Sequence, residues 1–428
     1  MASGVSLVIL AAGKGTRMKS ALPKVLHPLC GRSMLGWVLE AAAWVEPDQV
    51  VLVVGHGGEQ VQAEAEKEAL DLGLPQLKVV VQKEQKGTGH AMQVAAPLLG
   101  PDPGIVLVLY GDMPLIRGES LEDLVVAQRE AGKRAMVVMT AELDQPDGYG
   151  RIVRNAEGAL QAIVEHADAD AEQLEIEEIN TGVYAFDGAL LLKNLARLKP
   201  NNAQGEYYLT DMVSLSVGDA HPVVTVTLVD PLEGLGVNDL AQLAGVRQEV
   251  QYRILERHMA AGVSVIDPAT AYVDYGVLIG EGTVILPCVM IHRGVQIGEG
   301  CEVGPFTQLR PGTELHDGAQ VGNFTECKNS ILGAGSKAKH LSYLGDAVIG
   351  KRTNVGAGTI FANYDGKKKH KTHVGDHVSI GSGSIIVAPN RLPDHTTTGA
   401  GAVITRSAQI EPGETWVGMP AKRHRSKS

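Results

Sequence analysis

From Val273 to Val321 every sixth residue is apolar: Val273, Ile279, Ile285, Ile291, Ile297, Val303, Leu309, Leu315 and Val321. A helix repeats near 3.6 residues and a half-buried strand near 2, so neither explains the spacing. A strict period of six fits a prism of short strands, a hexapeptide β-helix in which each hexad makes one face and its apolar residue points inward. Glycine follows several of these positions at once, at Gly280, Gly298, Gly304 and Gly322, and permits a tight corner there. The repeat resumes at Leu332, Leu344, Val355, Val374 and Ile380, each again followed by glycine. Its two breaks, 323–330 and 363–372, are expected to be loops, and loops that interrupt a solenoid are where function concentrates.

The hexads fill only the second part of a 428-residue chain, too long for one ordinary core, so two or more domains are expected. A net charge of −11 argues against a general nucleic-acid binder, while leaving room for small anions in local basic pockets. The four cysteines, Cys30, Cys288, Cys301 and Cys327, show no CxxC spacing. Neither a zinc site nor a disulfide framework is expected, and a reducing cytoplasm suits them. No basic segment followed by an apolar run opens the chain, and no stretch is long and apolar enough to span a bilayer.

Ahead of the hexads, strand-like and helix-like segments alternate. Strands are expected at 5–11, 50–55, 77–82 and 105–110, and helices at 33–45, 59–70 and 89–99. This is the rhythm of a doubly wound, mainly parallel sheet, which binds ligands at the carboxyl ends of its strands. Residues 136–229 are more mixed, with hairpin-like pieces at 150–153 and 182–186. A helix over 239–261, with Leu240, Leu243, Val250 and Ile254 on its apolar face, is expected to join the two parts. The division is therefore 1–238, a linker helix 239–262, and a hexad domain 263–428 ending in a basic, frayed tail from Ala421.

Several segments carry chemistry. LAAGKGTRMKSALPKVLHP, residues 10–28, follows the first strand. It lacks the P-loop spacing, and Met18 stands where a dinucleotide fingerprint needs its third glycine. Such a turn still offers backbone N–H groups to an anion, with Arg17 and Lys24 adding positive charge. The same residues read equally well as an ordinary βα loop. Asp112, just past a strand's carboxyl end, suits either a Mg²⁺ ligand or a turn cap. His340 is one of 14 histidines, base or structural residue on its own merits. The run Lys367 to Lys371 suits either coenzyme phosphates or a solvated loop.

The ordered set of motifs decides more than any single one. LAAGKGTRM…LPK, Gln82, Gly87-Thr88, Tyr110-Gly111-Asp112, GYGR at 148–151, VEH at 164–166 and INTG at 179–182 run in sequence. GEYY at 205–208 and GVN at 236–238 follow. These resemble the sugar-1-phosphate nucleotidyltransferases. LRPG at 309–312, VGNF at 321–324, KxKHLSYLGD at 337–346, NVGAGT at 354–359 and NYDG at 363–366 extend the likeness over nearly the whole chain. Together they resemble the bifunctional family that acetylates glucosamine 1-phosphate and then uridylates the product to UDP-N-acetylglucosamine, a precursor of envelope polysaccharides.

The resemblance implies a Rossmann-like α/β nucleotidyltransferase domain followed by a left-handed parallel β-helix acetyltransferase domain, assembled as a homotrimer. It implies UTP and acetyl-CoA as co-substrates and Mg²⁺ held by Asp112 and Asn238. Leu10, Ala11, Ala12 and Gly13 would line the nucleotide, with Arg17 and Lys24 near its phosphates. Gln82, Gly87 and Thr88 would read uracil, within the frame of Tyr110 and Gly111. Gly150, Glu165 and Asn180 would hold the amino sugar. In the second domain His340 would be the base and Arg310 and Lys328 the phosphate clamp, with Tyr343 and Asn354 positioning the sugar. Ala357, Asn363, Tyr364, Ser382 and Ala400 would line acetyl-CoA, and Glu326 is a weaker candidate for orienting the base or the amine.

Two departures from the family pattern stand out. The hexad domain is short of early coils before Pro305, and Met419 stands where the family often places an arginine against the coenzyme; Arg423 and Arg425 are candidates to replace it. Two rival readings remain at this stage: a pyrophosphorylase whose hexad domain only assembles it, and a scaffold that kept the folds without the chemistry.

Overall fold

The computed structural model describes residues 4–424, which divide at Arg247 and Gln248 into two compact units. The division falls inside the helix Leu240–Ala260. Of the apolar face expected on that helix, Leu243, Val250 and Ile254 are buried, but Leu240 is 54% exposed. No helix among the described residues is long and apolar enough to cross a membrane.

The first unit is built on a twisted sheet. Its strands run in the order Val223–Thr227, Met136–Glu142, Glu178–Asp187, Ile105–Tyr110, Val5–Ala11, Gln49–Val54 and Lys78–Val81. Only Glu178–Asp187 runs antiparallel to its neighbours in this order. Val5–Ala11 is buried along its whole length, as a central parallel strand covered on both faces must be. The strand order reverses between Ile105–Tyr110 and Val5–Ala11, so the carboxyl ends of these two strands open a crevice. The hairpin Arg151–Arg154 and Leu160–Val164 hangs from the sheet through Ile179 and Arg151. The piece expected to be hairpin-like at 182–186 is instead the end of the ten-residue strand Glu178–Asp187.

The second unit is a three-sided parallel β-helix with a sheet on each face. Ile285 pairs with Val303 and Val303 with Val321, eighteen residues per coil. All the hexad residues from Val273 to Val321 are buried except Ile279, which is partly exposed. A second internal ladder carries no apolar signal. Buried Ser and Thr hydroxyls bridge successive coils: Thr283 Oγ1 donates to the Gly298 carbonyl at 2.8 Å and accepts from Cys301 N–H at 3.0 Å. Ser330 and Ser336 make similar bridges. These hydroxyls satisfy backbone groups that a buried corner would otherwise strand.

The glycines after the apolar residues act differently from expectation. Gly280, Gly298 and Gly322 are not left-handed. A Cβ on Gly280 would lie 2.6 Å from the Gly298 carbonyl carbon, and one on Gly322 would lie 2.4 Å from the Lys339 carbonyl oxygen. They are small because the next coil passes close by. The left-handed corners fall two residues later, at Gly282, Gly300 and Phe324. Of the four glycines singled out, only Gly304 has a positive φ, 106°.

The two expected loops also differ from each other. Residues 323–330 are not a loop: the strands Gln320–Asn323 and Glu326–Lys328 continue the prism, and Val321 pairs with Ala338 in a coil of seventeen residues. The second break is a true extrusion, since Val355 pairs with Ile380 twenty-five residues on. Of the tail expected to fray, Ala421–Arg423 pairs antiparallel with Thr415–Gly418, and residues 425–428 lie outside the described residues.

Candidate functional sites

In the first unit the crevice at the strand reversal is a cavity of about 270 Å³. The structure brings Leu10, Ala11, Ala12, Gly13, Lys24, Gln82, Gly87, Thr88, Tyr110 and Asp112 around it. Gln82 is buried and donates from Nε2 to the Gly87 carbonyl at 3.1 Å, which fixes the turn before the helix Thr88–Leu99. Burial pushes the Tyr110 phenol up, and the field of Glu165 adds to this, so its hydroxyl stays protonated behind the cavity. Gly111 is closely packed: a Cβ there would stand 3.2 to 3.3 Å from the side chains of Val25, Ala11 and Leu35, which would have to give by a few tenths of an ångström. Arg17, on the single turn Thr16–Met18, is exposed and does not line this cavity.

Lys24 ties the chemistry together. Its ammonium pairs with Asp112 Oδ2 and also donates to Asn238 Oδ1 at 3.2 Å. Asp112 and Asn238 are brought together by the main chain too, because Val237 N–H donates to the Asp112 carbonyl at 2.9 Å. The pair offers one carboxylate and one amide oxygen, hard donors of the kind a Mg²⁺ shell takes. A cation already lodged between them shows that the spot favours positive charge. The residues present therefore fit a Mg²⁺ ion. Among the described residues no group of three or more His, Cys, Asp or Glu could hold a metal, so further ligands would come from substrate phosphates and water.

Gly150, Glu165 and Asn180 form a second group. Asn180 N–H donates to the Gly150 carbonyl at 2.9 Å. Its side chain is fixed at both ends: Nδ2 donates to the Tyr184 hydroxyl at 2.8 Å, and Oδ1 accepts from Gly182 N–H at 3.1 Å. Burial pushes the Glu165 carboxyl up, Asp168 and Asp211 add to the shift, and a hydrogen bond from Thr210 opposes it. The loop ahead of Gly150 is clamped by the buried Arg151 guanidinium, which donates to the carbonyls of Pro146 and Tyr149, each at 2.6 Å.

In the second unit the candidates spread across one face and its two corners. His340 ends the strand Lys337–His340 on the first face, in register with Asn323, and is exposed. Leu341 then turns the corner with φ 48°. On the second face Gln308, Glu326, Tyr343 and Ile360 stand in one row. Arg310 and Lys328 leave that face at its far corner. Arg310 donates to Glu326 at 2.7 Å, so Glu326 is engaged by Arg310.

Lys328 lies against Lys369, whose ammonium holds it below the usual lysine range; burial and Arg310 add to this, and Asp346 opposes it. Burial works against the charge of Asp346. Hydrogen bonds from Asn329 and Asn363, with the fields of Lys328 and Lys369, nevertheless keep its carboxyl below the ordinary value. Three cations, Arg310, Lys328 and Lys369, thus crowd one corner, the arrangement a phosphate needs.

Two residues escaped the reading of individual positions. Lys369 was visible only within a basic run, and its role emerges because the extruded loop folds back, bridging Tyr364 to Lys369. Gln85, whose side chain donates to the Ala12 carbonyl across the cavity mouth, had no signal beyond its place between Gln82 and Gly87.

Other candidates are not brought together within one chain. Asn354 sits on the first face beside Lys337. Ala357, Ser382 and Ala400 stack on the corner between the first and second faces, through Gly383 N–H to Ala357 and Gly401 N–H to Ser382. Asn363 is buried and Tyr364 exposed at the next corner. Arg423 pairs with Glu414 at 3.0 Å, and Arg425 lies outside the described residues.

Comparison with known proteins agrees with both units. A family model described as a MobA-like NTP transferase domain matches residues 7–178. Another, described as bacterial transferase hexapeptide (six repeats), matches residues 276–310. The chain is 46% identical to the bifunctional protein GlmU of Thermobifida fusca, covering 98% of this chain and 92% of that protein. It is 46% identical to that of Stutzerimonas stutzeri, covering 94% of each, and 43% identical to that of Streptomyces avermitilis, covering 98% and 92%. Likeness of this degree, sustained through both units, shows that the chain belongs to the GlmU family of bifunctional proteins.

Proposed function

We propose that this chain performs two consecutive transfers: an acetyl group from acetyl-CoA to glucosamine 1-phosphate, then a uridylyl group from UTP to the N-acetylglucosamine 1-phosphate so formed. The products are CoA, UDP-N-acetylglucosamine and pyrophosphate. The observation that carries the reading is the presence of both chemistries, on separate units. Lys24, Asp112 and Asn238 meet at the crevice of the first, while His340 and the Arg310–Lys328–Lys369 corner flank one face of the second.

At the crevice the sugar phosphate is already ionised when it attacks the α-phosphorus, so no base is needed. The work is positioning and neutralising charge. Leu10 to Gly13 and Lys24 cradle the phosphates, Gln82, Gly87 and Thr88 meet the uracil, and Gly150, Glu165 and Asn180 hold the sugar. Asp112 and Asn238 would hold Mg²⁺, which when bound supplies positive charge to the transferring group.

On the β-helix the amine must lose a proton as it attacks the thioester, and His340 takes it. Arg310, Lys328 and Lys369 grip the phosphate at the opposite edge of the same face, and Tyr343 stands between. A convex prism makes no cleft for a thioester alone, and Asn354 and the Ala357–Ser382–Ala400 ladder lie apart from Asn363 and Tyr364. We therefore infer a homotrimer in which neighbouring copies complete each acetyl site. The exposed rings of Phe306 and Phe324, stacked 5.1 Å apart beside Leu341, support such a contact. The four cysteines form no disulfide, which suits a cytoplasmic enzyme.

The test is a product assay with glucosamine 1-phosphate, acetyl-CoA, UTP and Mg²⁺. Formation of UDP-N-acetylglucosamine with release of CoA and pyrophosphate is expected. Failure to form either the acetylated or the uridylated product overturns the reading.

A further inference from the structure

A glutamine amide can turn either of two ends to a base, a donor or an acceptor, and the surroundings of Gln82 decide between them. Gln82 follows the strand Lys78–Val81, and its N–H donates to the Val54 carbonyl at 2.8 Å, which fixes its backbone at the edge of the crevice. Its Nε2 has two partners, the Gly87 carbonyl at 3.1 Å and His90 Nδ1 at 3.1 Å. A carbonyl oxygen only accepts, so the end of the amide that faces Gly87 is the NH₂ group. That carbonyl is itself held in place. It also accepts from Ala91 N–H at 3.1 Å in the first turn of the helix Thr88–Leu99. Behind it the chain is tight, since a Cβ on Gly87 would lie 2.5 Å from the Tyr207 carbonyl oxygen.

The second amide proton then points at His90, whose Nδ1 must offer a lone pair. His90 therefore carries its ring proton on Nε2. Both amide protons of Gln82 are engaged by the protein, and among the described residues its Oε1 accepts no bond. The end left for a ligand is the acceptor. His90 does not line the cavity, so it acts only through Gln82. We propose that His90 is a positioning residue for the choice of nucleotide: by taking the second amide proton it keeps Gln82 Oε1 turned to the base and selects a pyrimidine with a proton on ring N3. Uracil carries that proton. Cytosine has a lone pair there, which Oε1 repels. This inference rests on the uridylyl-transfer reading above and adds how uracil is told from cytosine. A site built around such a bond rejects the analogue that leaves it unmade. Without His90 the spare amide proton loses its acceptor and can tilt toward the ligand, where the cytosine lone pair can take it.

The experiment compares the full-length protein with His90→Leu and with His90→Asn, whose Oδ1 can stand in for Nδ1 as the acceptor. UTP and CTP compete in one mixture with N-acetylglucosamine 1-phosphate and Mg²⁺. The uridine and cytidine diphosphosugars, counted by mass spectrometry, give the ratio of the two kcat/KM values. His90→Leu should lower the preference for UTP about tenfold or more and leave KM for the sugar phosphate alone, and His90→Asn should restore most of the preference. A constant ratio in His90→Leu would overturn the proposal, even if activity with both nucleotides fell, because that marks a merely structural residue. An equal fall in both variants would overturn it too. The tautomer is read without turnover, by solid-state NMR of wild-type protein labelled with ¹⁵N-histidine. The signals that vanish in His90→Leu should show a bare Nδ1 and a protonated Nε2, and the opposite tautomer would contradict the proposal. A wild-type protein that uses neither nucleotide would sink the proposed uridylyl transfer and this specificity with it. An active wild type whose preference survives His90→Leu would sink only the role of His90.

Discussion

The Lys24 ammonium donates to Asn238 Oδ1 at 3.2 Å while pairing with Asp112. One flexible cation therefore stands between the two side chains proposed to hold the metal. A divalent ion must displace it, and the phosphates of UTP offer the displaced lysine a new partner. Metal and nucleotide should then bind cooperatively, each raising the other's affinity by the same factor.

Removing the lysine charge tests this directly. Lys24→Met should bind Mn²⁺ about tenfold more tightly than wild type when no nucleotide is present, as read by electron paramagnetic resonance. The enhancement of Mn²⁺ binding by UTP should shrink. Unchanged Mn²⁺ affinity would mean that Lys24 does not compete for the metal site.

Lys369 was legible only as part of a basic run, yet it sits against Lys328. Lys369→Ala should raise KM for glucosamine 1-phosphate by about tenfold, the loss of one charge-assisted contact. It should leave KM for UTP and N-acetylglucosamine 1-phosphate alone. Lys328 should also return toward the usual lysine range, detectable by NMR titration. A variant with wild-type KM for the amino sugar phosphate would remove Lys369 from the clamp.

Glu165 links stability to pH. Its carboxyl is raised in the folded protein by burial and by Asp168 and Asp211. Between the ordinary carboxylate value near 4.3 and the raised one, the folded chain holds a proton that the unfolded chain has released. Stability therefore falls as pH rises through that window and stays lower above it. Glu165→Gln should flatten this slope, seen as a smaller drop in Tm of the first unit between acid and neutral pH. An identical slope in the variant would place the titrating group elsewhere.

Much of this was readable in the chain. The period of six marked which residues point inward, because an apolar side chain every sixth position can be buried only by a three-sided coil. Ile279 alone departs, being partly exposed although Val273 before it is buried. The βα rhythm pointed to the carboxyl ends of the strands, but which two strands flank the crevice is set by a strand order that alternation alone does not fix. What sequence missed was set by contacts across coils. Gly280 and Gly322 looked like corner residues, but the next coil's backbone explains them. The Thr283 and Ser330 bridges carry no hydropathy signal, being polar groups buried in an apolar prism. The break at 323–330 is one residue shorter than a regular coil, too small a change to tell from a loop. Glu326 could have served His340 or Arg310, and only geometry assigned it to Arg310.

The central claim is that two independent chemistries reside in one chain. It is tested by mixing two full-length variants, Asp112→Ala and His340→Ala, with glucosamine 1-phosphate, acetyl-CoA, UTP and Mg²⁺, and following UDP-N-acetylglucosamine by mass spectrometry. Alone, the Asp112 variant should accumulate N-acetylglucosamine 1-phosphate. The His340 variant should acetylate roughly 10²- to 10⁴-fold more slowly than wild type while uridylating ready-made N-acetylglucosamine 1-phosphate at the normal rate. Together they should make the final product, because the intermediate passes from one protein to the other. If the His340 variant acetylates at the wild-type rate, or the mixture yields no UDP-N-acetylglucosamine, the account is contradicted.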